Sequence, residues 1–323
     1  MRIAGHDVGT PLVLSPMVDV TDAAFRSIAR DWGADVTCSE MVAAVGLLHD
    51  HPKAWSHVEP WPGEGPYGVQ FMTRDPDELA AAVRHLATRV RPDFIDVNLG
   101  CPAPNILRSC AGGFLMQNPK LAGKVIRAAK NAADDAGIPH VSVKMRLGPD
   151  DGRMTYLTVG EEAESAGASW VTLHARTVAQ GYAGKARWEH IRLLVEALAI
   201  PVIGNGDLRT PEDVLRMRDE TGCAGFFIAR AAMHDPTVFR RMRTALDGHV
   251  PADDPPLRER LATLIEYLDR AAQIGITDAS LLRRQAMRFV AGAPGAKRLR
   301  VALQPCRDDA AIRDTVATQL AAS

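Results

Sequence analysis

A cysteine follows the apolar run Phe94-Ile95-Asp96-Val97 in the order Asn98-Leu99-Gly100-Cys101-Pro102, held between glycine and proline just past what reads as the end of a buried strand. Its thiol could serve as a nucleophile, a metal ligand or a proton donor. Nucleophilic use requires a nearby base, and His174 is the candidate at a neighbouring strand end. Metal binding lacks companion ligands at suitable spacing. A thiol mostly protonated at neutral pH can also deliver one proton to a developing carbanion, a role that couples naturally to hydride transfer.

Other chemically loaded residues recur where apolar runs end: Met17, Glu40, Gln70, Asn98, Lys144, His174 with Arg176, Asn205-Gly206-Asp207, and Ala229-Arg230. Lys144 interrupts an apolar strand, where an uncompensated cation is costly, so it must face a site or a partner. It could hold the anionic edge of a reduced flavin or form a Schiff base as in an aldolase. Gln70 offers a donor and an acceptor to a ring edge. Gly204-Asn205-Gly206-Asp207 and Ala229-Arg230 combine accessible backbone amides with a guanidinium, as a phosphate site requires. Cys38 and Cys223 read as core residues, and Cys110 as an inert free thiol.

These positions converge only if the chain folds as repeated βα units. Eight apolar strand-like runs (12–16, 35–38, 68–71, 94–97, 141–145, 170–173, 201–203 and 225–228) alternate with helical segments at 21–31, 76–90, 119–136, 159–166, 188–199, 211–220 and 236–246. Helix starts are marked by Thr21, Asp75-Pro76, Asn118-Pro119 and Thr210-Pro211. This rhythm predicts a (β/α)8 TIM barrel whose strand C-termini form the active face. A doubly wound open sheet is the competing fold, and its glycine fingerprint is missing after the first strand. Past residue 250 the Pro-rich stretch 251–256 leads into helical patterns at 257–274, 279–290, 296–303 and 309–320. The division expected is a barrel over 1–246 and a small all-helical domain over 247–323.

The 323 residues, 46% of them hydrophobic, suffice for a large core. No apolar run is long enough to span a membrane, and residues 1–7 lack a secretory signal, so a cytoplasmic, soluble monomer is expected. Five scattered cysteines point to free thiols, with neither disulfides nor a metal. A net charge of -1 leaves nucleic acid open, since a local patch decides. Such a patch exists: Arg283, Arg284, Arg288, Lys297, Arg298 and Arg300 fall in a span without acids, as phosphate neutralisation needs.

Taken together, Ser15-Pro16-Met17, Asp22, Phe25-Arg26, Gln70-Phe71, Asn98-Leu99-Gly100-Cys101-Pro102, Gly112-Gly113, Lys144-Met145-Arg146, His174-Ala175-Arg176-Thr177, Tyr182, Trp188, Gly204-Asn205-Gly206-Asp207 and Ala229-Arg230 resemble the tRNA-dihydrouridine synthase family over nearly the whole chain. The resemblance implies an FMN-containing barrel with a helical RNA-binding domain that reduces a tRNA uridine to 5,6-dihydrouridine with NADPH. It assigns FMN to Pro16, Met17, Gln70, Lys144, His174, Asn205, Gly206, Asp207, Ala229 and Arg230. By the same resemblance Cys101 protonates C5 after hydride passes from flavin N5 to C6. Asn98, Arg146 and Arg176 would touch the flavin or the flipped base, and Arg283, Arg288 and Arg298 the tRNA. Three departures stand out: Ala229 where the family usually has glycine, Asn105 where many members carry lysine, and no aromatic pair before Gly292. The rival functions are a small-molecule flavin reductase, an aldolase using Lys144, and a non-catalytic RNA-binding barrel.

Overall fold

The computed structural model describes residues 1–293 and 295–322; Pro294, within the glycine-rich stretch near the basic patch, and Ser323, the end of the 247–323 range, lie outside the described residues. Eight parallel strands form a nearly closed barrel: Leu12–Leu14, Thr37–Cys38, Tyr67–Met72, Phe94–Leu99, His140–Arg146, Trp170–His174, Val202–Asn205 and Gly225–Ile228. The last strand pairs with the first, and a bridge from Val13 to Val36 joins the first to the second.

Several strands run past the ends that hydropathy predicts. Asn98 pairs with Lys144 and Arg146 with His174 inside the ladder, although their polarity ends the apolar runs. The reason is strand alternation. Ile95, Val97, Leu99, Val143, Met145 and Leu173 pack outward against the helices. The alternate residues line the barrel interior, which is apolar only at its base, where Val13, Val36, Cys38, Phe94, Trp170, Ile203 and Phe227 cluster. Polar side chains occupy the upper layers.

That base is closed by a hairpin absent from the sequence reading, Arg2–Ile3 against His6–Asp7, whose Ile3 joins the apolar cluster. Gly68 makes room for Phe94 in the same layer, because a Cβ there would lie 2.2 Å from ring atoms. Gly68→Ala is expected to destabilise the protein by about 1–3 kcal/mol through overpacking. Urea unfolding checks this, and an unchanged midpoint would show that the ring yields freely.

The helix start signals correspond to real caps. Asp75 accepts from the Asp77 and Glu78 amides, Asn118 from Leu121, and Thr210 forms a capping box with Asp213. The first helix, Ala23–Asp31, is capped by Asp22 instead of Thr21. The Thr21 hydroxyl instead accepts from the Met17 amide at 2.9 Å and shapes the loop after the first strand.

Four helices follow the barrel: Leu257–Gln273, Ala279–Phe289, Ala296–Leu303 and Asp309–Ala321. They share one apolar core with the barrel helix Ala23–Asp31, as Phe25 meets the rings of Tyr267 and Phe289 at 6.5 and 5.8 Å. Tyr267 also donates to Asp22 at 2.9 Å, and Gln285 Nε2 to the Val20 carbonyl at 2.7 Å. The helical segment is thereby docked onto the loop that follows the first barrel strand. Among the described residues, no helix is long and apolar enough to cross a membrane.

Candidate active site

The C-terminal strand ends surround a cavity of about 420 Å3, a size suited to a cofactor-scale ligand. Its walls include Pro16 and Met17 after the first strand, Gln70, Asn98, Cys101, Lys144, Arg146, His174, Asn205-Gly206-Asp207 and Ala229-Arg230. All ten residues expected to bind cofactor are therefore brought together with Cys101. Arg288 enters the same lining from the helical segment.

Cys101 is partly exposed, on the short connection between the strand Phe94–Leu99 and the helix Pro104–Arg108. Its amide donates to Asn98 Oδ1 at 2.9 Å, and its carbonyl accepts from Gly113 at 3.0 Å. The glycines are steric necessities, since a Cβ at Gly113 would approach that carbonyl to 2.9 Å.

Lys144 reaches into the cavity and makes no hydrogen bond to the protein among the described residues. Burial, then the neighbouring Arg146, lowers its pKa to about 8 against the opposing pull of Asp96. His174 is driven far below the usual histidine range by burial and then by Lys144, Arg146, Arg176 and Arg230. It is thus neutral. Arg176 donates to its Nε2 at 3.2 Å, which leaves the imidazole proton on Nδ1.

Asp207 follows Gly206 in a left-handed turn, with φ of +56° and +119° respectively. Burial acts to raise its pKa, but hydrogen bonds from Arg176 and the Ala186 amide, with the charges of Arg176 and Arg230, hold it below the usual carboxylate range. Its two oxygens lie 2.6 Å from Arg176 and 2.9 Å from Arg230. Ala229 supplies only a methyl beside Arg230 on this wall.

Several expected residues sit differently from their sequence reading. Arg176 is buried behind the cavity wall, where it donates to the Ala183 and Gly184 carbonyls and Asp207, and it does not line the cavity. Arg146 lines it, but Nε and Nη1 are engaged by the carbonyls of Gly100, Thr177 and Gly181. Glu40 lies outside the lining, buried, accepting from the Asp19 amide at 3.0 Å, and burial raises its pKa to about 7. Arg283 and Arg298, expected to meet tRNA and not the cavity, lie in the helical segment outside the lining, where Arg283 donates to the Cys306 carbonyl at 2.8 Å and Arg298 is exposed.

Tyr182, which the sequence names without a role, is 64% exposed in the lining with Arg146 and Arg230 over its ring, and Arg209, Met41 and Val18, which escaped the sequence reading, line the cavity beside it. The glycines flanking Tyr182 were the available signal. Among the described residues, no cluster of three His, Cys, Asp or Glu side chains could hold a metal ion.

The dihydrouridine synthase family model matches residues 13–322, and so takes in the barrel, the cavity and the helical segment alike. The chain belongs to this family. The probable tRNA-dihydrouridine synthase of Aquifex aeolicus is 34% identical over 292 residues, 90% of this chain and 89% of that protein. tRNA-dihydrouridine synthase B of Pseudomonas aeruginosa is 32% identical over 315 residues, 95% of this chain and 92% of its own length. Among solved structures, histamine dehydrogenase from Rhizobium sp. 4-9 has a TM-score of 0.53 at 13% identity, covering 84% of this chain and 50% of that one. A 2-naphthoyl-CoA reductase complex has a TM-score of 0.55 at 11% identity, covering 77% and 52%. These two bear on the synthase fold alone, and the chain spans about half of each.

Proposed function

We propose that this synthase binds FMN in the barrel cavity and, with NADPH as reductant, converts a uridine of tRNA to 5,6-dihydrouridine. The observation that carries the reading is the Lys144 ammonium, which has the Phe227 ring at 5.8 Å but no hydrogen bond to the protein among the described residues, in a cavity whose lining sets Lys144, Arg146, Arg209, Arg230 and Arg288 against the single carboxylate of Asp207. Such a lining awaits an anion. It fits a phosphorylated flavin, with the Asn205-Gly206-Asp207 turn and Ala229-Arg230 at the phosphate, Gln70 at the ring edge, and Pro16 and Met17 as apolar wall.

Bound and reduced, FMN would supply the hydride that goes to C6 of the uracil. Lys144 stabilises negative charge on the flavin ring, and His174, being neutral, serves as a hydrogen-bond donor through Nδ1 and not as an acid. Cys101 gives its thiol proton to C5. Asn98 and Arg146, whose guanidinium also meets Tyr182 at the cavity wall, are available to the base, whereas Arg176 acts from behind, orienting His174 and Asp207. The uridine must leave its stack to enter the cavity, which loop bases do most readily.

We assign tRNA to residues 247–323 and the cavity rim, with Arg283 ordering the segment and Arg288 and Arg298 offering charge. Arg288→Ala with Arg298→Ala is expected to weaken tRNA binding about tenfold and to flatten its salt dependence, leaving flavin reduction by NADPH intact. Filter binding across a salt series reads this, and undiminished affinity would remove the helical segment from recognition. The cofactor reading itself is tested by visible absorption: FMN-loaded protein should be yellow, bleach with NADPH and recover its colour with unmodified tRNA. A protein that takes up no flavin would return Lys144 to the Schiff-base reading.

A further inference from the structure

A buried carboxylate beneath the cavity enters the account above only through its pull on Lys144. Asp96 is 1% exposed and accepts from Ser142 Oγ and Gln70 Nε2, both at 2.6 Å. Gln70 Oε1 in turn accepts from Asn98 Nδ2 at 2.8 Å, and Asn98 Oδ1 accepts from the Gly100 and Cys101 amides at 3.1 and 2.9 Å. We propose that Asp96 is a positioning residue: through Gln70 and Asn98 it anchors the buried end of a hydrogen-bond chain that holds the Cys101 backbone, and with it the thiol, in place.

The argument rests on which groups can donate. The Gly100 and Cys101 amides can only donate, so the loop end of the chain has fixed polarity; at the other end burial raises the Asp96 carboxyl, while the hydrogen bonds from Ser142 and Gln70, and then Lys144, favour its ionised, accepting form. Between them lie two side-chain amides that could each be reversed, and only one order satisfies every contact. Reversing Gln70 would set its carbonyl oxygen against Asp96; reversing Asn98 would set its NH2 against two backbone N–H groups. Buried amides cannot leave such conflicts to water, so the order runs unbroken from the loop to the anchor in the barrel interior. The same order determines the face that Gln70 and Asn98 turn toward the cavity, which both of them line.

This inference rests on Cys101 acting in the reaction, but its test has a readout independent of activity. Asp96→Asn can preserve the chain, because its amide oxygen accepts from Gln70 while its NH2 donates to the Ser142 hydroxyl. Asp96→Asn combined with Ser142→Ala leaves the new amide's NH2 buried without the hydroxyl that would accept from it, and so loosens the anchor in a core of nearly unchanged shape. Two quantities are measured: alkylation of Cys101 by iodoacetamide in flavin-free protein, and recovery of flavin colour when tRNA is added to the reduced enzyme. Asp96→Asn and Ser142→Ala alone should stay near wild type in both. The double variant should alkylate several-fold differently and recover about tenfold more slowly, with tRNA affinity unchanged. If Asp96→Asn alone is as damaging as the double variant, Asp96 acts through its charge beside Lys144 and the proposal fails. It fails equally if the double variant matches wild type in both. Should Cys101→Ala prove fully active, the alkylation rates would still decide whether Asp96 positions the loop.

Discussion

Cys101→Ala is expected to yield a protein that binds FMN, bleaches with NADPH and retains tRNA, yet turns over tRNA at least about 100-fold more slowly. The expectation follows from the protons available in the cavity. His174 is neutral and Asp207 is held ionised by Arg176 and Arg230, so neither is an acid there. Cys101 places its thiol in the cavity lining, over a backbone fixed by Asn98 and Gly113. Cys101→Ser, a weaker acid of similar size, should be nearly as slow. Rapid mixing of NADPH-reduced variant with unmodified tRNA separates this step from cofactor binding. Full activity of the alanine variant would move the proton to Lys144, the next donor within the cavity.

Lys144→Met should slow flavin reduction about 100-fold and weaken FMN binding, with little change in tRNA affinity. A fixed cation helps where negative charge appears, and water competes least inside a buried cavity. The pH dependence follows from the sign of the lysine's titration. Burial lowers Lys144 to about 8, so the side chain is a cation below that pH and a neutral amine above it. FMN affinity of the wild-type protein should therefore fall as pH rises through about 8, and that of Lys144→Met should be flat over the same range. An anion bound beside the ammonium would move the break upward, never downward. Fluorescence titration of FMN across pH reads the effect. A flat wild-type profile, or an equal loss of tRNA affinity, would separate Lys144 from the flavin.

Much of this site was legible because its residues break patterns locally. Lys144 and Gln70 interrupt apolar strands, Cys101 sits between glycine and proline, and Asn205-Gly206-Asp207 is a turn in a place that needs one. The barrel was legible for a related reason, as buried parallel strands are apolar throughout their outer face and their helices open with caps. What escaped depends on distant partners. Nothing near Arg176 in the chain reveals that its guanidinium is spent on the carbonyls of residues 183 and 184 and on Asp207, nor that the guanidinium of Arg146 folds back onto Gly100. Arg288 reads as one cation of a surface patch, yet it donates to the Asp19 carbonyl and to Gln285 Oε1 and lines the cavity from outside the barrel. Asp19 itself adopts a left-handed φ of +57° to present that carbonyl, a conformation composition does not announce. Glu40 is the converse case, a chemically loaded residue at a strand end that the fold buries against the Asp19 amide, outside the cavity lining.

The docking of helix Ala279–Phe289 on residues 19–20 also gives the two halves of the molecule a common wall. Arg284 lies 3.4 Å from the Asp19 carboxylate, and Gln285 holds Val20, one loop away from the proposed flavin contacts Pro16 and Met17. RNA bound by the helical segment would thus rest against the mouth of the cavity in which its uridine reacts.

The decisive measurement is mass spectrometry of unmodified tRNA incubated with NADPH and the FMN-loaded protein. Flavin-dependent reduction of tRNA uridine predicts a gain of two hydrogens at one uridine, absent without NADPH and absent with Cys101→Ala. Unaltered tRNA from a yellow protein that NADPH bleaches would contradict it, and would point instead to a small-molecule acceptor for the same hydride.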